Sequence, residues 1–198
     1  MESNYRINWN NKLNELKDMH SDIALLCENK KVAYIDIPLH FNVGDHLIYA
    51  GTEEFIKNHN INVVYRAFDH NVDVKCIEKS EIIMFHGGGN FGDIYPRHQR
   101  LRESLIEKFP NKRIIILPQT IHFSSEAEMR KSATLFSRHQ DLHIYLRDEK
   151  SYKIGMEFTK NSRLMPDMAH SLHPLVDVSE VESLAINTPK IINLRRVD

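Results

Sequence analysis

Short apolar runs separated by helix-length segments constrain this chain more than any other feature. Ile82–Phe85 is wholly apolar, and Arg113–Leu117 is apolar after its first residue. Runs this short read as strands buried on both faces, the signature of a parallel sheet covered by helices. Val32–Ile37, ended by Pro38, reads as the first strand, and Ile61–Ala67, rich in β-branched residues, as the second. Leu142–Leu146 and Arg163–Met165 follow as the fifth and sixth. Between them lie segments of helical character: a helix from Asp45, its N-cap, to about Lys57; Arg97–Phe109, with Pro96 in its first turn; Ser124–His139, capped by Ser124; and Glu149–Phe158. A helical turn is expected from Met168. At residues 8–27, Trp9, Leu13, Leu16, Met19, Ile23 and Leu26 recur at steps of three and four, which predicts an amphipathic helix packed on the sheet. The alternation predicts an α/β fold with a doubly wound, parallel, Rossmann-like sheet.

A chain of 198 residues is long enough to bury one such core. Its net charge of -1 gives no electrostatic reason to expect a nucleic-acid partner. Cys27 and Cys76 lie in no CxxC pattern, so buried free thiols in a reducing cytoplasm are expected rather than disulfides. The polar start Met1-Glu2-Ser3-Asn4 has no secretory character, and no apolar run reaches the length of a membrane span. The twelve histidines are scattered. His40 with His46, or His170 with His173, lack the accompanying carboxylate or thiolate spacing of a metal site, so no metal is expected.

Residues 1–176 therefore form the expected Rossmann-like domain. Residues 177–189 read as a polar, acidic linker, and Lys190–Arg196 as the opening strand of a further unit. Such a strand needs neighbours that the remaining residues do not supply. The expectation is that this chain is the first part of a longer protein.

Two loops repeat one tetrapeptide, Asn-x-Gly-Asp, at Asn42–Asp45 and Asn90–Asp93. In an open α/β sheet, loops at the carboxyl ends of strands line the ligand crevice. The second copy lies in the string His86-Gly87-Gly88-Gly89-Asn90-Phe91-Gly92-Asp93. Gly87, Gly89 and Gly92 satisfy the dinucleotide fingerprint formally, but the loop follows the third strand, and the acidic residue expected about twenty positions on is missing. No Walker Gly-Lys-Ser/Thr occurs. Asp45 and Asp93 are expected to cap the helices that follow them. Arg97, His98, Arg100 and Arg102 can supply cations, with at least two of the four expected on a solvated helix face. Arg147, just past the fifth strand, suits bidentate carboxylate or phosphate binding, or an internal pair with an acid. Asp167 reads as a further N-cap, or as a carboxylate that orients an arginine.

Together these pieces resemble the polysaccharide pyruvyl transferase family. The match runs in order through Asn42-Val43-Gly44-Asp45-His46, Gly87–Asp93, Pro118-Gln119, Arg147-Asp148-x-x-Ser151 and Pro166-Asp167-x-Ala169, over roughly residues 31–172. Gly-Asn-Phe-Gly-Asp-Ile-Tyr-Pro is most similar to the exopolysaccharide-biosynthesis branch. The resemblance implies the N-terminal half of a two-domain, GT-B-like enzyme with its active site between Rossmann-like halves. It implies transfer of a pyruvyl group from phosphoenolpyruvate to a saccharide acceptor as a ketal, with phosphate released and no cofactor. A cytoplasmic enzyme, open to peripheral association with membrane-bound glycan assembly, is expected.

On this resemblance the substrate-binding residues are Arg147, Asn42, Gly44, Asp45, Gly87, Gly88, Gly89, Asn90, Asp93, Gln119 and Asp167. His86 and His122 are the local candidates for proton transfer. Two alternatives stay open: a sugar-nucleotide glycosyltransferase on a similar fold, and a non-catalytic module that binds a saccharide or anion.

Overall fold

The computed structural model describes residues 2–174, and the side chains from residue 8 onward. The linker and strand expected over residues 177–198 lie outside the described residues. The sheet is built from β1 (Val32–Ile37), β2 (Val63–Phe68), β3 (Ile82–Phe85), β4 (Gly88–Gly92), β5 (Arg113–His122), β6 (Leu142–Leu146) and β7 (Ser162–Leu164). Its order is β2-β1-β3-β5-β6-β7, every pairing parallel, with β4 also on β5. Helices cover both faces. On one face α2 (Ser21–Cys27) and α3 (Val43–Asn58) pack with Val32, Tyr34, Met84, Ile115 and Leu117. On the other, α4 (Val74–Glu78), α5 (Pro96–Lys108), α6 (Glu126–Phe136) and α7 (Glu149–Gly155) pack with Ala33, Ile35, Ile83, Ile114 and Ile116. Consecutive residues of β5 thus enter opposite cores, as the two-residue period of a strand requires.

The helix expected over residues 8–27 is instead two, α1 (Glu2–Asp18) and α2, broken at Met19–His20. His20 is fully buried. Its Nε2–H donates to the Pro166 carbonyl at 3.0 Å, and its Nδ1 accepts from Ser171 Oγ at 2.7 Å. That ring fixes the break, and it leaves Trp9 and Met19 exposed rather than on the sheet.

Two further departures shape the crevice. The string after β3 is not a simple turn. Gly88–Gly92 pairs with Gln119–His122, so β4 resumes the position of β3 beside a longer β5. Pro118, just past the run Arg113–Leu117 read as that strand, lies inside it. It has no N–H for the ladder, and the registers of β5 with both β4 and β6 shift across this stretch. Gly92 makes the close approach feasible: it holds φ +118°, and a Cβ there would lie 1.7 Å from the His122 carbonyl oxygen.

Candidate ligand crevice at the strand ends

The two repeated loops face one cavity of about 450 Å³ at the carboxyl ends of the strands. Asn42 and Asp45 line one side, and His86, Gly87, Gly89 and Asn90 the other. Arg147, His40, Tyr95, His98, Pro38 and Asp36 complete the wall.

Each loop is held by its own polar groups. Asn42, not Asp45, caps α3, its side-chain oxygen accepting from the Gly44 amide at 2.9 Å. The sequence displaced the cap by one turn. Asp45 falls in the first turn, where its carboxylate faces His40 Nε2 at 3.5 Å and suits the positive end of the helix. Asp93 caps nothing either. Both of its oxygens accept from the Ser124 amide, at 2.9 and 2.8 Å, and one also accepts from the Ser124 hydroxyl. It clasps the end of β4 to the loop after β5. Ser124 is therefore occupied, and Ser125 caps α6 instead.

Charged side chains lie against the backbone of Gly88 and Gly89. A Cβ on Gly88, at φ +124°, would lie 3.4 Å from Asp45 Oδ1, and one on Gly89 would lie 3.4 Å from Arg147 Nη2. Arg147 is held in this position by two partners. Its Nε donates to Thr120 Oγ1 at 2.9 Å, and its Nη1 donates to Asp167 at 2.7 Å. The crevice cation and the internal ion pair are one arrangement. The Thr120 hydroxyl in turn donates to Asp148, the residue that caps α7 through the Ser151 amide.

Gln119 is fully buried and serves the loop itself. Its Nε2 donates to the His86 carbonyl at 2.8 Å and to Asn90 Oδ1 at 3.0 Å. Gly44, Gly88, Gln119, Asp93 and Asp167 do not line the cavity. His122 is exposed at the end of β5, off that wall, whereas His86 is on it. His86 is almost wholly buried, its Nδ1 lies 2.6 Å from the Tyr34 hydroxyl, and its Nε2 has no partner among the described residues. Burial pushes its pKa down to about 4, so the ring is neutral near neutral pH and acts there as a hydrogen-bonding group.

Sequence reasoning missed Asp36. It is buried at the end of β1 with φ 65°, a conformation uncommon for a residue with a Cβ. Between Tyr34 and Ile37 β1 carries one residue more than β2 opposite, a bulge that re-aims the side chain. One carboxylate oxygen accepts from His98 Nδ1–H at 2.6 Å. The other accepts from Arg102 Nη2 at 2.9 Å and from Asn90 Nδ2 at 3.3 Å. Arg102 is itself fully buried, between the rings of Phe85 and Phe91. Of the four basic residues read from α5, Arg97 pairs with Asp69 at the surface and Arg100 is exposed, while His98 and Arg102 turn inward. A carboxylate inside an otherwise apolar strand was the available signal.

Fold and crevice define a Rossmann-like α/β domain with its ligand site beyond the carboxyl ends of the strands. Within that class the chain belongs to the polysaccharide pyruvyl transferase family, which it matches over residues 42–196. It is 38% identical, over 80% of its length, to EpsO of Bacillus subtilis (strain 168), a protein named as a pyruvyl transferase, and covers 50% of that protein. It is 31% identical, over 85% of its length, to Pyruvyl transferase 1 of Schizosaccharomyces pombe, and covers 44% of it. The chain spans about half the length of these relatives. The structure of an uncharacterised protein of Klebsiella pneumoniae, KP1_0663, shares the fold with a TM-score of 0.53 at 22% identity, over 78% of this chain and 57% of that one. Among the described residues, no helix is long and apolar enough to cross a membrane.

Proposed function

We propose that this domain forms one wall of the active site of an enzyme that transfers a pyruvyl group from phosphoenolpyruvate to a saccharide of an exopolysaccharide or its precursor. The observation that carries the reading is Arg147 on the cavity wall, aimed by Thr120 and Asp167 beside the glycine backbone at Gly89. Phosphoenolpyruvate brings a carboxylate and a phosphate, and a guanidinium matches either with paired N–H donors. His40 adds a further polar group around the same space, and the side-chain N–H groups of Asn42 suit sugar hydroxyls, whereas the Asn90 side chain is engaged by Arg102, Gln119 and Asp36. Membership of the family supports the acceptor class.

The chemistry balances without an oxidant or a cofactor. One acceptor hydroxyl adds to C2 of the enol phosphate, and the C2–C3 π pair takes up a proton, making a methyl group. A second hydroxyl bonds to C2 as the C2–O bond to the phosphate breaks, the phosphate oxygen leaving with the electron pair. The second hydroxyl proton departs with hydrogen phosphate, and the product is a ketal bearing the pyruvate carboxylate. On this reading the enzyme works in the cytoplasm, where phosphoenolpyruvate is made, with a second Rossmann-like half opposite the crevice.

The test is phosphate release from phosphoenolpyruvate by the full-length protein with a saccharide diol. Arg147→Ala is expected to lower kcat/KM by on the order of a hundredfold, as for loss of a charge-assisted contact to the donor. Undiminished release in that variant would remove Arg147 from the site. Cleavage of a sugar nucleotide, with phosphoenolpyruvate untouched, would establish glycosyl transfer instead.

A further inference from the structure

We propose that His98 is the proton-transfer residue of this crevice and that Asp36, locked by Arg102, is its positioning residue. The role rests on the pyruvyl-transfer reading; the arrangement does not. Asp36 accepts the Nδ1 proton of His98 at 2.6 Å. The Nε2 of the ring makes no hydrogen bond to protein among the described residues, and the ring lines the cavity with about a quarter of its side chain exposed. An imidazole whose Nδ1–H is held by a buried carboxylate presents Nε2 to a substrate in a fixed tautomer.

The cost of building this pair argues for a use. Asp36 takes a left-handed backbone conformation within a strand bulge. Arg102 is buried with it, and its Nε has no partner among the described residues. Replacing such a buried pair by apolar residues is often neutral or stabilising, so a stable core does not need it. What the pair does achieve is full engagement of the Asp36 carboxylate, one oxygen by Arg102 and Asn90 and the other by His98 alone. Of the other two cavity histidines, His86 has no carboxylate on either nitrogen among the described residues, and His40 faces Asp45 only through an exposed contact of 3.5 Å at Nε2, its Nδ1 accepting from the Asn42 amide.

In the reaction, the protonated ring, its Nδ1–H held by Asp36, gives its Nε2 proton to C3 as the attacking hydroxyl oxygen bonds to C2 of the donor. Nε2 then takes the hydroxyl proton, so the ring ends as it began before phosphate leaves. Asp36 offsets the imidazolium charge. The groups that face the ring are Asp36 on β1, Asp69 beyond β2, Asn90 on β4, and Tyr95 and Arg102 from its own segment.

The experiment follows phosphate release and phosphoenolpyruvate affinity in the full-length protein, with nitrogen-15 NMR of the histidine rings. His98→Ala is expected to lower kcat by on the order of 10²–10⁴-fold, the range of general acid–base catalysis, with donor affinity changed less than threefold. Added imidazole is expected to restore part of that loss. Asp36→Asn, checked for folding by its thermal transition, is expected to lower kcat alike and to move the His98 proton from Nδ1 to Nε2 in the spectrum. Should that variant fail to fold, His98→Ala and imidazole rescue decide the matter. An active wild-type enzyme whose His98→Ala variant keeps full turnover, or is not rescued, overturns the inference and leaves pyruvyl transfer standing. A wild-type protein that releases no phosphate from phosphoenolpyruvate overturns both.

Discussion

Arg102 illustrates how one side chain can be indispensable to a structure that would be as stable without its kind. Its guanidinium is fully buried between Phe85 and Phe91, with Nη2 on Asp36 and Nη1 on the Asn90 carbonyl at 3.0 Å. Desolvation opposes the charged form of both partners, and their mutual attraction offsets it only while both are present. Arg102→Met is therefore expected to destabilise the protein by about 3–5 kcal/mol, since it strands the Asp36 carboxylate. Adding Asp36→Leu to that variant is expected to return much of the loss, because an apolar pair leaves no buried charge behind. Urea unfolding of the two variants measures both effects. Equal stability of the single and double variants would show that Asp36 reaches water once Arg102 is gone.

At the scale of elements, β5 organises the crevice by running further than its sequence suggests. Pro118 interrupts the ladder without ending the strand, which carries Gln119 under the glycine loop and Thr120 up to Arg147. Thr120 lies at the hinge of this arrangement, accepting from Arg147 and donating to Asp148 at the start of α7. Thr120→Val keeps the shape and the β-propensity but removes both bonds. The expected result is a several-fold rise in KM for phosphoenolpyruvate with little change in thermal stability, measured by steady-state phosphate release. Unchanged KM would mean that Asp167 alone aims Arg147. These polar crosslinks were the part of the fold least legible in the sequence. Ile82–Phe85 and Arg113–Leu117 announce themselves because burial on both faces demands apolar runs, and the alternation of β5 follows from a fixed period. Asp36, Asp93 and Ser124 carry no such constraint. An acid before a helix reads as a cap by local rules, and only the long-range approach of β4 to β5 turns Asp93 toward Ser124. The crevice loops could be listed from their repeated tetrapeptide, but which of their residues face the cavity depends on strand pairing that glycine-rich sequence does not encode.

Over the whole molecule, buried histidines set how stability should respond to acid. His20, His86 and His139 are buried, the first two on the α2–α3 face of the sheet beside Phe55 and Tyr34 and the third just past the end of α6, and burial lowers the pKa of each. In the unfolded chain these rings take up protons as pH falls through about 6.5. In the folded protein they stay neutral to lower pH, His86 to about 4. The unfolded state therefore binds more protons between those limits, and stability falls as pH falls through this window. Above about 6.5 both states are neutral at these sites and the contribution is complete. For His86 the difference between 6.5 and about 4 corresponds to about 3 kcal/mol lost by pH 4. Urea unfolding from pH 7.5 to 4 is expected to show this decline beginning well above the range where carboxylates titrate. His86→Asn, which keeps a polar partner for Tyr34 but cannot take up a proton, is expected to be flatter by about 3 kcal/mol across the same window. A wild-type profile level down to pH 4 would show that protons reach these rings without unfolding the sheet. Because His86 shares its wall with His98, the same comparison separates the two roles: replacing His86 should move the acid limb of stability, and replacing His98 the rate of the proposed reaction.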